Sequence, residues 1–123
     1  MKAIELLETY PKAATVIKEF YYEKMINSLQ EDNDIPQEFK DMVKAQQFDN
    51  EYVATFIDNN PRFLFDIFDS NKVYVEISIL IDANPRFMYH VNGEVNTEPF
   101  YTNRIDAEKA AIQLAFQILN DNL

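Results

Sequence analysis

The fold is decided by the stretch VYVEISILID, residues 73–82, in which apolar and polar side chains alternate. Alternation with a period of two places every second side chain on the same face of a β-strand. One face of this strand is predicted to be buried and the other partly exposed to water, as is common in antiparallel sheets. The side chains expected on the buried face are Val73, Val75, Ile77, Ile79 and Ile81.

Two more strands are predicted downstream. Residues 83–85, ANP, form a turn, and the second strand covers residues 87–91. The pair Asn92-Gly93 favours a tight hairpin because both residues tolerate a positive φ. A third strand is predicted over residues 95–101, but it contains Pro99. Proline cannot donate a backbone hydrogen bond, so this strand is expected at an edge of the sheet.

A helix is predicted to close the chain. It begins at Asn103 or Asp106, and its apolar stripe is rich in alanine, which lets a helix lie close to a sheet. The stripe comprises Ala107, Ala111, Leu114, Ala115, Ile118 and Leu119. Residues 71–123 are thus expected to form a three-stranded antiparallel β-meander covered by a C-terminal helix.

The preceding part of the chain, residues 1–70, is predicted to be helical throughout, with about five short helices. Proline fits the first turn of a helix, and an aspartate before an apolar pattern favours an N-terminal cap. The helices are expected to start at residue 2, Pro11, Pro36, Asp49 and Pro61. At 123 residues the chain has the length of one domain. We therefore predict a single α+β domain over residues 1–123.

The composition excludes several kinds of functional site. The chain has no cysteine, one histidine (His90) and one glycine (Gly93). Disulfides, thiolate catalysis, cysteine-bound metals, multi-histidine metal sites and glycine-rich phosphate loops are therefore excluded. We expect no catalytic residue, no cofactor and no metal, and we expect that the protein is not an enzyme.

The charge of the chain is strongly acidic, with 21 acidic and 11 basic residues and a net charge of −10. Residues 31–69 contain ten acidic and three basic side chains, so they contribute −7 of this charge. Such a balance argues against direct binding to nucleic acid or to an anionic membrane. Glu5 and Glu8 interrupt a possible signal peptide, and we predict a cytoplasmic protein.

The acidic stretch also contains many aromatic side chains. The ordinary interpretation of these aromatic side chains is that they pack in the core. The aspartates are interpreted either as a solvated surface or as ligands of a Mg²⁺ or Ca²⁺ ion. However, Phe63 and Phe65 cannot point the same way from one helix, so aromatic surface is expected there. Acidic groups beside exposed aromatics are a plausible protein–protein surface. The candidate partner-binding residues are Asp58, Arg62, Phe65, Asp66 and Asp69.

The last fifty residues resemble the C-terminal part of a double-stranded-RNA-binding domain. The likeness rests on the predicted strand order and on residues 106–111, DAEKAA, followed by Ala115 and Leu119. Members of that family carry a basic cluster at the start of this helix to grip phosphates. The corresponding residues 103–106 read NRID, so most of those charges are absent. The helix start also resembles that of small phage and mobile-element proteins.

Three functional hypotheses follow. The first is a non-enzymatic acidic protein–protein interaction module, in its sharpest form a phage or mobile-element accessory protein that inhibits a basic, nucleic-acid-binding host partner. The second is a small-ligand-binding or enzymatic domain that uses the polar sheet face with Tyr74, Glu76, Ser78 and His90. The third is a self-assembling structural subunit, for which an exposed strand edge near residues 95–101 would support a homodimer.

Overall fold

The computed structural model describes residues 2–38, 41, 49–81, 83–95 and 100–123. The helices within these ranges are α1 (Ala3–Thr9), α2 (Pro11–Glu31), α3 (Asn50–Asn59), α4 (Arg62–Ser70) and α5 (Arg104–Asp121). The strands are β1 (Val75–Leu80), β2 (Arg86–Val91) and the two-residue β3 (Glu94–Val95). The architecture is α+β, with a helical N-terminal half and an antiparallel hairpin packed against the C-terminal helix.

The helical half follows the predicted breaks closely. Pro11 opens α2, and the side chain of Asp49 caps α3 by accepting a hydrogen bond from the Tyr52 N–H at 2.9 Å. Four apolar side chains at helical spacing on the inner face of α4 are buried, namely Phe63, Leu64, Ile67 and Phe68. The third predicted helix, which was expected to open at Pro36, falls largely on residues 39–48, outside the described residues except for residue 41.

The hairpin confirms the predicted strands and fixes their register. Glu76 lies opposite His90, and Ser78 lies opposite Met88. Asn92 and Gly93 form the turn after β2 with φ of 52° and 81°, as the sequence predicted. Asn92 also fixes the turn to the start of the hairpin, because its Oδ1 accepts a hydrogen bond from the Tyr74 N–H at 2.7 Å.

The third strand is described only at its two ends. Val95 pairs with His90, and Tyr101 exchanges two backbone hydrogen bonds with Phe87 at 2.8 and 3.0 Å. Residues 96–99, which include Pro99, lie outside the described residues. A continuous third strand over residues 95–101 therefore stays a prediction.

The burial of β1 differs from the alternation expected for it. Val73 is fully buried and Val75 and Ile77 are half-buried, but Ile79 is 41% and Ile81 is 83% exposed. Packing against the core covers the first part of the strand and leaves the later part open. The prediction of one continuous buried face from Val73 to Ile81 was therefore wrong for its last two positions.

The core is a single cluster of buried side chains to which α1, α2, α3, α4, β2 and α5 all contribute. Phe68 and Phe116 meet at its centre with ring centroids 5.7 Å apart and their planes nearly perpendicular. Phe116 and Ile112 belong to the buried face of α5, although the predicted stripe did not include them. The cluster joins the helical half to the hairpin through one continuous apolar interior.

Candidate functional site

Two candidate partner-binding residues, Asp58 and Arg62, lie at the corner between α3 and α4, and the other three follow along α4. Asn60 ends α3: its N–H donates to the carbonyl oxygens of Phe56 and Ile57, and its side-chain amide donates to Phe56 at 3.2 Å. Pro61 follows and precedes the first turn of α4. Asp58 and Arg62 therefore flank a sharp turn that is fixed by backbone hydrogen bonds.

Four of the five candidate residues are exposed: Asp58, Arg62, Asp66 and Asp69. Positions 62, 66 and 69 follow a spacing of four and three residues, which places them on one face of a helix. Phe65 lies on the same side of the helix. Its ring was expected to be exposed, but it is half-buried and packs against the core. The surface is thus a charged helix face with one aromatic side chain at its base, which we call the α4 acidic face.

Basic side chains line the same clefts as Asp58 and Asp66, but no close ion pair with these carboxylates forms among the described residues. Within the described ranges, no ion pair joins Asp58, Asp66 or Asp69 to a basic side chain. Asp58 and Asp69 also lie in the last turns of α3 and α4, and neither last turn contains a basic residue. Because the C-terminal end of a helix carries partial negative charge, the backbone adds negative potential beside Asp58 at the end of α3 and beside Asp69 at the far end of α4.

A cleft of about 770 Å³ opens beside Asp58, where α1, the α3–α4 corner and α5 meet. Its floor is formed by buried apolar side chains, namely Leu6, Ile57, Leu64 and Ile112. Charged side chains of both signs stand around it, namely Lys2, Glu5, Asp58, Glu108 and Lys109. An apolar floor inside a charged rim can accept an aliphatic or aromatic side chain of a partner.

Ile105 marks the edge of this cleft, and its side chain is 64% exposed. Sequence reasoning did not identify it as a candidate, although it falls outside the predicted apolar stripe of α5. An apolar residue outside the apolar stripe of a helix is expected to be exposed, and this position was the only indication in the sequence that Ile105 could contact a partner. The cleft itself could not be predicted, because it joins segments from the beginning, middle and end of the chain.

A second cleft of about 440 Å³ lies on the other side of Pro61. Arg62 and Asp66 line it, together with Lys24 of α2, whose Nζ lies 5.5 Å from the centre of the Phe63 ring. Pro61 lines both clefts, and three of the five candidate residues line one cleft or the other. Asp58 belongs to the larger cleft, Arg62 and Asp66 belong to the smaller one, and Phe65 and Asp69 line neither.

The aromatic side chains behind this surface pack mainly with one another. The Tyr21 ring centroid lies 4.7 Å from that of Phe56, and Phe56 lies 5.0 Å from Phe63 with an interplanar angle of 89°. Burial, and secondarily a side-chain hydrogen bond with Tyr52, raises the pKa of Tyr21 to about 12. Core packing therefore accounts for these rings, whereas Tyr52 itself is 49% exposed.

The polar face of the hairpin carries a second constellation. Ser78 Oγ lies 3.0 Å from His90 Nε2, and both side chains are partly buried. Glu76 lies directly opposite His90 in the register, so the three residues share one face of the sheet. A serine hydroxyl bonded to an imidazole is the minimal pair for nucleophilic catalysis or for binding a polar ligand.

Two other features are absent from the part of the chain that the structure describes. No group of three or more histidine, aspartate or glutamate side chains there could hold a metal ion. No helix there is sufficiently long and apolar to cross a membrane. The chain matches no protein-family model, no curated protein and no solved structure.

Proposed function

We propose that this chain is a non-enzymatic interaction module that binds a basic protein surface through Asp58 and the α4 acidic face. The observation that carries this proposal is the exposure of Asp58, Asp66 and Asp69, none of which forms an ion pair with a described basic side chain. Exposed carboxylates of this kind are available for lysine and arginine side chains of another protein. The net charge of −10 favours fast encounter with such a partner.

The larger cleft supports a more specific partner chemistry. Charge at a rim mainly sets association rate and specificity, whereas buried apolar anchors supply most of the affinity. The floor of Leu6, Ile57 and Leu64 offers room for one apolar side chain beside Asp58. We therefore infer a partner segment in which an aliphatic or aromatic residue is flanked by lysine or arginine.

The acidity also supports the narrower hypothesis of inhibition. A nucleic-acid-binding protein presents lysine and arginine to phosphates, and exposed carboxylates can occupy the same side chains. The proposal is that the chain, as a phage or mobile-element accessory protein, blocks such a host surface. Under this proposal, the chain binds the protein and not the nucleic acid.

The test compares the wild-type chain with the variant Asp58→Lys/Asp66→Lys/Asp69→Lys as bait in nuclease-treated lysate. Captured proteins are identified and then purified for titration against both baits at about 0.15 M and about 1 M salt. We expect a basic partner that binds the wild type at the lower salt and is lost at the higher salt. The triple variant should not bind it. Lysine in the last turns of α3 and α4 suits the helix dipole, so the variant should fold.

A control variant with the same net charge distinguishes an effect of these three positions from an effect of the overall charge. The variant Glu8→Lys/Glu19→Lys/Asp121→Lys reverses three exposed acids on α1, α2 and α5 and raises the net charge by the same six units. Binding should survive in this control. Equal loss in both variants, or retained binding by a folded Asp58→Lys/Asp66→Lys/Asp69→Lys chain, would contradict the proposal.

The second candidate function uses the polar face of the hairpin. It is supported by the 3.0 Å contact between Ser78 Oγ and His90 Nε2, with Glu76 opposite the imidazole. If this pair performs nucleophilic catalysis, an activated ester such as p-nitrophenyl acetate should release a burst of p-nitrophenolate equal to the amount of protein. Ser78→Ala should abolish the burst, and a burst that persists in this variant would exclude the pair.

A further inference from the structure

Among the described residues, the first strand of the hairpin lies at an edge of the sheet. The order of the described strands is β1-β2-β3, so β1 has a neighbouring strand on one side only. The sequence had placed the exposed edge at residues 95–101, whereas the longer edge described by the structure is Val75–Leu80. An open strand edge presents unpaired backbone groups and is a ready template for another strand.

The direction of the backbone groups on this edge follows from β2. Phe87 exchanges its N–H and C=O bonds with Tyr101, so its backbone is turned away from β1. Backbone direction alternates along a strand, and the opposed pair of Phe87 and Ile79 is therefore the non-hydrogen-bonded kind. It follows that the N–H and C=O groups of Ile77 and Ile79 point outward from the sheet. Within the described residues, these groups have no hydrogen-bond partner in another element.

The same edge ends in an exposed apolar run. Ile79 and Leu80 are each 41% exposed and Ile81 is 83% exposed. An exposed apolar edge strand is an association site unless charges or a covering element protect it. The only charged residue between positions 75 and 80 is Glu76.

We propose that β1 pairs antiparallel with β1 of a second copy of this chain, about a two-fold axis at Ser78. In this register Ile77 lies opposite Ile79 of the second copy, and the two-fold axis produces this pair twice. The outward N–H and C=O groups of both residues then form hydrogen bonds between the two strands. It also sets Glu76 against Leu80 of the second copy. A register centred on Glu76 would instead oppose two like charges, which is destabilising.

The edge favours a copy of itself over the basic partner of the α4 acidic face. Its outward groups are backbone amides and its exposed side chains are aliphatic, so the single carboxylate of Glu76 gives little attraction for lysine or arginine. A two-fold pairing also makes every contact twice, because an isologous interface is self-complementary. The dimer would join two hairpins into one continuous sheet.

The test exploits the absence of cysteine from the chain. In the proposed register Ser78 faces Ser78 of the second copy as a non-hydrogen-bonded pair, with Cα atoms about 4.5 Å apart, which is within disulfide reach. We expect Ser78→Cys to form an intermolecular disulfide under mild oxidation, seen as a dimer on a non-reducing gel. Light scattering of the wild type should give a concentration-dependent mass approaching twice 14.5 kDa.

The variant Glu76→Cys, two residues away on the same face of the strand, serves as the control for Ser78→Cys. Glu76→Cys would place its two sulfurs about four residues apart along paired strands, roughly 14 Å at 3.4 Å per residue. Ser78→Cys should therefore cross-link at least about tenfold faster than Glu76→Cys. Equal rates would show random collision and would overturn the proposed register.

A charge variant tests the edge without cysteine. Ile79→Lys should shift the mass toward the monomer, whereas Tyr52→Lys should not, although Tyr52 on α3 is similarly exposed. A monomeric mass for the wild type at high concentration, or a dimer that Ile79→Lys leaves intact, would overturn the proposal. The triple reversal at the α4 acidic face should leave the mass unchanged, so the two proposals fail independently.

Discussion

Asn120, in the last turns of α5, caps the first turn of α2 by accepting a hydrogen bond from the Lys12 N–H at 3.0 Å. The same Oδ1 also accepts from the Ala13 N–H at 3.2 Å. The first N–H groups of a helix have no partner within that helix, so a capping acceptor stabilises it. Here the cap comes from the opposite end of the chain, which ties α2 to α5.

Removing this cap should destabilise the protein. We expect Asn120→Ala to lower the free energy of unfolding by about 1–2 kcal/mol, measured by urea denaturation, because two N–H groups lose their acceptor. Asn120→Asp keeps an acceptor and adds negative charge at a helix N-terminus, so it should retain most of the stability. Equal losses in the two variants would show that the cap is not the cause.

The contact between Ser78 and His90 should be visible as a coupling energy. In a double-mutant cycle of Ser78→Ala and His90→Ala, we expect about 0.5–1.5 kcal/mol of interaction in the free energy of unfolding. The two residues are adjacent on one face of the hairpin, with their side chains 3.0 Å apart. Strictly additive effects would mean that the hydrogen bond contributes nothing in solution.

The turn after β2 requires a positive φ at Gly93, which is 81°. A Cβ atom there would meet no atom within 4 Å, so a substitution is opposed by backbone conformation and not by a clash. We expect Gly93→Ala to lower the free energy of unfolding by about 1–2 kcal/mol. Gly93→Asn should cost less because asparagine tolerates this conformation. The comparison is made by urea denaturation, and a larger loss for Asn would contradict it.

Asp58 and Asp69, at the C-terminal ends of α3 and α4, should each lower the free energy of unfolding. Asp58→Asn and Asp69→Asn each remove negative charge from the C-terminal end of a helix, so each should raise the free energy of unfolding by about 0.3–1 kcal/mol. The gain should shrink as salt is added, because exposed charges are screened. Thermal unfolding at low and high salt checks both statements. A gain in stability that accompanies loss of partner binding would indicate that these aspartates serve recognition.

The raised pKa of Tyr21 makes stability fall in alkaline solution. The pKa is about 12 in the folded protein against 10.0 for an ordinary tyrosine. Between these pH values the folded state keeps the proton that the unfolded state has lost, so the free energy of unfolding decreases as pH rises. Below pH 10 this contribution is fully present.

Tyr21→Phe should flatten that decrease, which denaturation at a series of pH values would measure. Burial, and secondarily Tyr101, also raises the pKa of Tyr89, so some slope should remain. Tyr10→Phe serves as a control, since Tyr10 is a half-exposed tyrosine at the junction of α1 and α2. An unchanged slope in Tyr21→Phe would contradict the assignment.

Much of the fold was predictable because its signals are local. The period of two over β1, the Asn92-Gly93 turn and the four apolar positions of α4 each depend on residues a few positions apart. Asp49 was recognised as a cap because its acceptor is only three residues from the Tyr52 N–H. Backbone sterics and side-chain spacing specify such features wherever the segment lies in the protein.

The candidate site was predicted only in part. Its aspartates were found as a charge run, and the spacing of Arg62, Asp66 and Asp69 already placed them on one helix face. Their exposure, the absence of an ion pair to them within the described residues, and the placement of Asp58 and Asp66 in two different clefts came from the structure. The exposed Ile105 had no assigned role until α5 was seen beside α1 and α3.

The type and order of most elements, the acidity of the middle segment and the excluded classes of chemistry therefore follow from the amino-acid sequence. The side of each element that is covered depends instead on how distant segments pack. Ile79 has the same alternation as Val75 yet is exposed, and Phe116 lies outside the expected stripe yet is fully buried. Likewise, Asn120 caps a helix that begins at Pro11. Burial and long-range capping depend on which distant segment packs nearby, and local periodicity carries no information about that neighbour.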